Sequence, residues 1–245
     1  MKLVATDLPG VLIVEPAVFS DDRGWFMESF NEARWAEALQ AAAEPLPRRF
    51  VQDNHSCSRA GVLIVEPAVF GDDRGWFMES FNEARWIESL QRAGEPVPRR
   101  FVQDNHSCSQ AGVLRGLHYQ LPPHAQGKLV RVVQGAAFDV AVDIRCGSPT
   151  FGRWSGARLD ADNRRQLWVP EGFAHGFLAL TDDTHFLYKT TDVYARDCER
   201  SIRWDDPQLA IAWPAVAGAP KLAAKDAAAP LLAAADLPVW RPGQG

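Results

Sequence analysis

One stretch of the chain combines residue types that could do chemistry: a histidine and two cations between short apolar runs. His118 lies between Arg115 and Lys128 in a segment bounded by Phe101-Val102 before it and Leu129-Val130 after it. This predicts that His118 lies near a strand end, where functional sites are often built. A histidine close to two cations favours a base that acts on an anionic or carbonyl-bearing ligand. An isolated histidine would more often fill a corner of the core.

The composition is that of an ordinary globular protein. The 245 residues are 47% hydrophobic and 23% charged, with a net charge of −5, which argues against general binding to nucleic acids or membrane surfaces. The apolar runs are too short to cross a bilayer, and we expect no signal peptide. The four cysteines (57, 108, 146 and 198) lack C-x-x-C spacing, so we expect neither a zinc knuckle nor a disulfide framework. We therefore expect a reduced protein in the cytoplasm.

An internal repeat occupies the N-terminal part of the chain. Residues 11–60, here called copy 1, recur as residues 62–111, copy 2, and only seven of the 50 aligned positions differ. Two units are too few for a solenoid, so this is a tandem duplication of one segment. We expect copy 2 to dock on the rest of the fold, because docking copy 1 would loop out about 50 residues at a cost of a few kcal/mol. The predicted organisation is an extra segment (1–61), one domain (62–235) and a tail (236–245).

The elements that must position His118 are mostly short strands. In copy 2 we predict strands at 62–65 and 76–81, a helix that begins after Asn82, and a strand at 100–103. Beyond Lys128, alternating runs such as 138–144 with turn signals at close spacing indicate an all-β sandwich or jelly roll. A short helix is expected near the end, at about 226–235.

Several motifs, in order along the chain, resemble the dTDP-4-dehydrorhamnose 3,5-epimerase family. The resemblance covers roughly residues 61–235 and rests on FVQDNHSCS (101–109), VLRGLHYQ (113–120), QGKLVRVVQGAAFDVAVDIR (126–145), WVPEGFAHGFLAL (168–180), FLYKTTDVY (186–194), SIRWDDP (201–207) and KLAAKDAAAP (221–230). It implies a cupin-type jelly roll, a double-stranded β-helix barrel with a few short peripheral helices. It also implies a homodimer with exchanged N-terminal strands, a nucleotide-sugar substrate, and neither metal nor organic cofactor.

The activity that the resemblance implies inverts C3 and C5 of a thymidine-diphospho 4-keto sugar. A carbon acid beside a ketone is far weaker than an imidazolium, so the site must stabilise an enolate oxygen while a base removes the proton. The resemblance assigns His118 as the base and Asp226 as the carboxylate that orients it. Tyr188 is then the acid on the opposite face of the sugar, and Lys128 the cation near the C4 oxygen.

The resemblance also implies a set of substrate-binding positions. They are Arg74, Glu79, Gln103, Asn105, Arg115, His175, Glu199 and Lys225. The copy 1 equivalents Arg23, Glu28, Gln52 and Asn54 are set aside because we expect copy 2 to dock. Without the resemblance, several of these residues have ordinary interpretations: Tyr188 as core, His175 as a packed corner residue and Glu199 as part of a solvated turn.

Three alternatives stay open at this point. A metal-dependent cupin is disfavoured, because His118-Tyr119-Gln120 replaces the usual His-x-His pair and Lys128 would repel a cation. A non-catalytic sugar-nucleotide binding module on the same fold is a second possibility, since fold does not dictate function. The third is a related epimerase that inverts only C3 or only C5.

Overall fold

Strands dominate the computed structural model, which describes residues 2–5, 12–15, 17–31, 34, 37, 58–59 and 62–239. The strands are β1 Lys2–Ala5, β2 Leu12–Glu15, β3 Val18–Asp21, β4 Gly24–Asn31, β5 Ser58–Arg59, β6 Val62–Val65, β7 Val69–Asp72, β8 Gly75–Met78, β9 Gln103–Ser109, β10 Leu114–Gln120, β11 Lys128–Gln134, β12 Ala136–Asp143, β13 Trp154–Asp160, β14 Gln166–Val169, β15 Phe173–Ala179, β16 Thr184–Thr190 and β17 Glu199–Ser201. The α-helices are α1 Glu83–Ala93 and α2 Ala224–Ala227, and short 3-10 turns span Arg196–Cys198 and Leu232–Ala234. None of the described helices is long and apolar enough to span a membrane.

Two antiparallel sheets form the barrel. The larger has eight strands in the order β3-β4-β9-β16-β11-β14-β6-β5, and the smaller has five in the order β13-β12-β15-β10-β17. Buried side chains from both sheets, such as Val130, Leu167 and Phe186 from one and Ala141 and Phe177 from the other, pack together between them. The prediction of an all-β jelly roll of the cupin type is confirmed.

Two further apolar layers cover the outer faces of the sheets. On the smaller sheet, Leu117 and Val140 pack against Ile202 and Leu232 from the C-terminal part of the chain. On the larger sheet, α1 packs its buried Trp86 and Leu90 against Leu129 and Trp168. The C-terminal layer brings α2 next to β10, which is the strand that carries His118.

Helix α1 follows the sequence prediction closely. Its N-terminal cap is Asn82, whose side-chain oxygen accepts a hydrogen bond of 3.1 Å from the Arg85 amide, and its C-terminal cap is Gly94 with φ of 73°. Such caps satisfy backbone groups that have no partner inside the helix. The predicted C-terminal helix was too long, because it is one turn (α2) and a separate 3-10 turn. Pro230 lies between them and cannot donate a helical hydrogen bond.

Two other strand predictions had the wrong bounds. The strand expected at 100–103 begins only at Gln103 and runs to Ser109, and the strand expected at 76–81 ends at Met78. The corresponding strand of copy 1, β4, is twice as long and runs from Gly24 to Asn31. Local sequence cannot account for this difference, since residues 24–31 and 75–82 are identical.

Both copies contribute to the barrel, which corrects the expectation that copy 2 alone docks. Copy 2 supplies β6, which pairs with β14, and α1. Its β7–β8 hairpin, however, forms a separate two-stranded sheet. The β3–β4 hairpin of copy 1 instead adds to the edge of β9, in a register that runs from Gly24 opposite Ser109 to Asn31 opposite Gln103. The part of copy 1 that holds Gln52 and Asn54 lies outside the described residues.

Candidate active site

A cavity of about 690 Å³ lies between the barrel and the copy 1 hairpin. The barrel wall comes from β9, β10, β11, β15 and β16 together with α2, and the opposite wall comes from the β3–β4 hairpin. Its lining mixes aromatic rings with converging charged side chains, which is typical of sites for polar organic ligands. The chemistry of the cavity depends on which charged groups face one another.

His118 and Asp226 form a dyad on the barrel wall. His118 Nε2 lies 2.7 Å from Asp226 Oδ1, and the Asp226 side chain is 1% exposed. The strand that carries His118 is irregular just before it, because the register of β10 against β15 shifts between Arg115 and His118. Such a bulge re-aims the side chain that follows it. The bulge depends on Gly116, where a Cβ would lie 2.5 Å from the Cα of Gly176 and 2.8 Å from the carbonyl oxygen of His175.

The surroundings of the dyad keep the imidazole of His118 ready to accept a proton. Burial lowers the pKa of His118, and the nearby cations Lys225 and Lys128 add to this, while the hydrogen bond to Asp226 opposes it. Burial on its own favours the protonated form of Asp226. The hydrogen bond and charge of His118 outweigh burial, so the pKa of Asp226 lies below its usual range. Asp226 is therefore a fixed anion that can stabilise an imidazolium formed on His118.

Lys128 provides a buried cation beside the dyad. Its side chain is 9% exposed, and its Nζ donates to the backbone carbonyl oxygen of His118 at 3.5 Å. Burial lowers the pKa of Lys128 to about 8, against the opposing charges of Glu199 and Asp139. A cation held in this way is available to an oxygen that gains negative charge in the cavity.

Tyr188 contributes a phenol to the cavity from β16. Its ring packs near Phe186, and its neighbour across the strand pair is Asn105 of β9. Burial raises the pKa of Tyr188, with the carboxylates Glu199 and Glu28 adding to it and Arg115 opposing it. Tyr188 is therefore fully protonated at neutral pH and can act as a proton donor.

Polar groups at the base of the cavity hold one another in place. Gln103 donates to Asn105 Oδ1 at 2.9 Å and accepts from the Tyr194 amide at 3.1 Å. His175 Nε2 lies 2.8 Å from Asp139 Oδ1, and both side chains are buried. His175 is also directly opposite His118 on the neighbouring strand. These side chains present fixed hydrogen-bonding groups to a ligand without adjusting to it.

A second charged group lies at the C-terminal side of the cavity. Lys225 Nζ and Glu199 Oε1 are 2.9 Å apart, and the Tyr194 hydroxyl donates to Glu199 Oε2 at 3.1 Å. Burial tends to raise the pKa of Glu199, but the hydrogen bond and charge of Lys225 outweigh it and leave the pKa low. Glu199 is thus an anion at neutral pH, and it forms an ion pair with Lys225 that balances the charge of the lysine.

The arginines of the cavity come from both walls. Arg115 is half-buried on β10 and donates to Ser109 Oγ at 3.1 Å. Burial lowers the pKa of Arg115, and the nearby guanidinium of Arg23 lowers it further, whereas Asp21 opposes this. Two guanidinium groups that face one cavity form a site for a multiply charged anion, such as a diphosphate.

Comparison with known proteins shows which family has a similar sequence. The family model described as dTDP-4-dehydrorhamnose 3,5-epimerase matches the chain twice, at residues 5–63 and 60–234. The enzyme of that name from Shigella flexneri is 61% identical over 153 residues, which are 62% of this chain and 82% of that protein. The one from Pseudomonas aeruginosa is 57% identical over 175 residues, 71% of this chain and 93% of that protein.

The chain belongs to the dTDP-4-dehydrorhamnose 3,5-epimerase family. Among solved structures, the dTDP-6-deoxy-D-glucose-3,5-epimerase of Legionella pneumophila in complex with dTDP-4-keto-L-rhamnose is similar, with 49% identity and a TM-score of 0.70. The match covers 77% of this chain and 98% of that one. The double match of the family model agrees with the duplication, because its first part ends where copy 2 begins.

Ten of the twelve site residues predicted from the family resemblance line the cavity. They are Gln103, Asn105, Arg115, His118, Lys128, His175, Tyr188, Glu199, Lys225 and Asp226. Among the described residues, no cluster of three or more histidine, cysteine, aspartate or glutamate side chains could hold a metal ion.

Arg74 and Glu79 are the exceptions, and their copy 1 equivalents take their places. Arg23 and Glu28 line the cavity. The side chain of Arg74 is 86% exposed, compared with 20% for Arg23. The prediction chose the wrong copy because it treated copy 2 as one unit, whereas β6 and α1 dock on the barrel and the hairpin between them does not.

The sequence analysis also missed aromatic residues that line the cavity. Phe19 and Phe26 come from the copy 1 hairpin, and Tyr194 follows β16. Tyr194 lies within the motif 186–194 that carries the family resemblance, and this was the available signal. For Phe19 and Phe26, the sequence offers no signal that separates them from Phe70 and Phe77 of copy 2.

Proposed function

We propose that this chain converts dTDP-4-dehydro-6-deoxy-D-glucose to dTDP-4-dehydro-L-rhamnose by inverting C3 and C5. The observation that carries the proposal is the convergence of the His118–Asp226 dyad, Lys128 and Tyr188 on one cavity. This supplies a base, a cation for the enolate oxygen and a separate proton donor, which are the three groups that epimerisation beside a ketone requires.

In the proposed reaction, His118 removes the proton from C3 or C5 with the ring nitrogen that Asp226 does not hold. The electron pair of the broken C–H bond moves into the C–C bond, and the carbonyl electrons move to the C4 oxygen. The resulting enolate is stabilised by Lys128. Tyr188 then returns a proton to the carbon from the opposite face, which inverts the centre. The proton on His118 and the proton missing from Tyr188 are exchanged with water before the next cycle.

Substrate binding is proposed to use both walls of the cavity. Arg115 and Arg23 hold the diphosphate, because guanidinium groups match phosphate oxygens in geometry and charge. Gln103, Asn105 and His175 form hydrogen bonds to the sugar or to the thymine ring. Glu28 contacts the substrate from the hairpin wall. Glu199 and Lys225 border the same cavity from the other side, and their ion pair provides a polar contact surface for the nucleotide.

The narrower alternative is inversion of a single centre. A 3'-monoepimerase from Streptomyces bikiniensis, solved in complex with dTDP-quinovose, is 39% identical to this chain with a TM-score of 0.65. The fold therefore does not separate the two activities, although identity is higher, at 61% and 49%, to the 3,5-epimerases of Shigella flexneri and Legionella pneumophila. We also propose a homodimer as the assembly and the cytoplasm as the location. The three described cysteines have free thiols, as expected in a reducing compartment.

The test is deuterium incorporation followed by NMR. The protein is incubated with dTDP-4-dehydro-6-deoxy-D-glucose in deuterated water, and label is measured at C3 and C5. Label at both carbons is expected from the full chain, with loss of both in His118→Ala. The matched control is His124→Ala, a histidine that pairs with Asp192 and does not line the cavity. Label at one carbon only would support the single-centre alternative, and no label from a protein that binds the nucleotide would support a binding module.

A further inference from the structure

The residue before Lys128 is a glycine in close contact with an indole ring on the outer face of the larger sheet. A Cβ at Gly127 would be 2.3 Å from Cη2 of Trp168, and 3.1 and 3.2 Å from the carbons on either side of it. Carbon atoms in ordinary contact are about 3.5–4.0 Å apart, so any larger residue would overlap the far edge of the ring. Neither Gly127 nor Trp168 lines the cavity.

The indole ring is held from its other side by an aromatic cluster. The ring centroid of Trp168 lies 5.2 Å from that of Trp86 on α1 and 6.0 Å from that of Phe101. Trp168 and Trp86 are 4% and 3% exposed. Close-packed interiors transmit strain, so a ring enclosed in this way leaves little room for a group added at Gly127. The displacement would fall on the main chain of Gly127.

That main chain determines where β11 begins. The amide of Gly127 donates to Thr191 Oγ1 at 2.9 Å, and its carbonyl oxygen accepts from the Thr191 amide at 3.0 Å. The next residue, Lys128, is the first of β11 and is paired with Val169 on one side and Thr190 on the other. Successive side chains of a strand point to opposite faces. The indole ring and the Lys128 side chain are therefore separated by one layer of main chain.

The charge of Lys128 depends on how deeply this side chain is held. Burial lowers its pKa to about 8, Glu199 and Asp139 oppose this, and Lys225 adds to it. Its Nζ also donates to the backbone carbonyl oxygen of His118. A main chain pushed away from the indole ring would move Lys128 further into the cavity, where water reaches Nζ. The pKa would then rise toward its ordinary value of 10.5.

We propose that Gly127 and Trp168 are positioning residues for Lys128, and that α1 of copy 2 keeps the indole ring in place. Their contact determines how far Nζ extends into the cavity. The inference rests on the proposed function, in which Lys128 stabilises the enolate oxygen. A misplacement of about 1 Å can lower a rate by about 10²-fold, so a contact outside the cavity can matter to the reaction. Copy 2 thus supports the cavity from outside the barrel, whereas copy 1 lines it.

The contact can be broken from either side and then restored. Gly127→Ala adds a methyl group against the ring and should lower kcat by about 10²-fold. Trp168→Phe removes the far edge of the ring, leaves a gap and should lower kcat by less. The double variant places the new methyl group in that gap, so its kcat should be at least about tenfold higher than that of Gly127→Ala.

Gly156→Ala is the matched control for an added methyl group that overlaps an aromatic ring. A Cβ at Gly156 would be 2.5 Å from Cζ of Phe138, on the smaller sheet, and neither residue lines the cavity. This variant should lower the midpoint of urea unfolding, because overpacking destabilises a close-packed core. It should leave kcat and the pKa of Lys128 unchanged.

The pKa of Lys128 separates positioning from a general loss of stability. It can be measured by NMR titration of protein labelled with carbon-13 lysine. The chain has five lysines, and the signal of Lys128 is the one that Lys128→Arg lacks. The pKa should be about 8 in the unchanged protein and in the double variant. In Gly127→Ala it should be about 9 or higher.

Two results would overturn the inference. An unchanged pKa of Lys128 in folded Gly127→Ala would mean that the contact does not position this residue. A double variant that matches Gly127→Ala in both pKa and kcat would mean that the glycine and the ring act independently. If Gly127→Ala does not fold, the double variant must still fold and titrate like the unchanged protein, and its failure to do so would contradict the inference.

The titration also keeps this inference separate from the proposed function, because it requires neither substrate nor turnover. A chain that epimerises no sugar nucleotide would refute the proposed function. The pKa of Lys128 in the three variants would still show whether Gly127 and Trp168 position it.

Discussion

The two walls of the cavity differ in how often the chain encodes them. The part of the barrel wall that holds His118, Lys128, Tyr188 and Asp226 is encoded once. The hairpin wall is encoded twice, and one copy lies on the cavity while the other is exposed. The groups proposed to move protons are thus encoded once. The hairpin wall holds groups proposed to bind the substrate, and its sequence occurs twice.

The comparison between the two hairpins shows how connectivity determines position. Each hairpin has the same aspartate that binds its turn arginine, Asp21 with Arg23 and Asp72 with Arg74. The turn is thus built in the same way in both. The connections of the two hairpins to the rest of the chain differ, and one arginine lies at the cavity while the other is exposed.

The largest effect is expected on the barrel wall. His118→Ala should lower kcat by about 10³-fold, because it removes the base of the proposed reaction. Asp226→Asn should lower kcat by about 10²-fold, since the imidazolium then lacks its fixed anion. Steady-state rates of the two single variants and the double variant check this. The double variant should be no slower than His118→Ala, because residues that act as a unit are not additive.

Substitutions on the hairpin wall should have a smaller effect on the kinetics, and the same substitution in the two copies should have different effects. Arg23→Ala should raise KM by about 10- to 100-fold with little change in kcat, which is the loss of one or two charge-assisted hydrogen bonds. Arg74→Ala should leave KM and kcat unchanged, since its side chain is exposed. Substrate titrations of both variants measure this. Equal effects of the two substitutions would contradict the assignment of copy 1 to the cavity.

The sequence was sufficient for the barrel wall and insufficient for the hairpin wall. Ordered motifs predicted a jelly roll and ten residues of one cavity, including His118 and Asp226, which are 108 positions apart and meet only because α2 packs beside β10. The choice between Arg23 and Arg74 failed for a physical reason. Their neighbours in sequence are the same, and the difference comes from the pairing of β6 with β14, which no local pattern encodes.

The pH dependence should come from the barrel wall. Lys128 acts as a cation in the proposed reaction, and its pKa of about 8 means that the charge is lost as pH rises through 8. The rate should therefore fall about tenfold for each pH unit above this value. On the acid side, His118 must be neutral, and its lowered pKa keeps it so until the pH is below its ordinary value of 6.5.

Profiles of kcat/KM against pH for three proteins check this assignment, because this ratio reports the pKa values of the free enzyme. Lys128→Arg should remove the fall in rate above pH 8, here called the alkaline limb, because a guanidinium group stays charged throughout this range. Arg23→Ala should keep the fall in rate above pH 8 that the unchanged protein shows, because Arg23 takes no part in the proposed proton transfers. An alkaline limb that moves with Arg23→Ala would assign it to substrate binding instead.

The smallest effect is expected in the stability of the two hairpins. Trp25→Ala removes two edge-on ring contacts and should lower the free energy of unfolding by about 1–3 kcal/mol. Trp76→Ala should change it by less than about 0.5 kcal/mol, because this ring is more than half exposed and its main contact is the Arg164 guanidinium, 4.4 Å above it. Urea unfolding gives both values, and hydrogen exchange of the β9 amides shows whether copy 1 undocks first. Faster exchange in β9 with Trp25→Ala alone would show that copy 1 covers this edge, and equal protection in both variants would show that it does not.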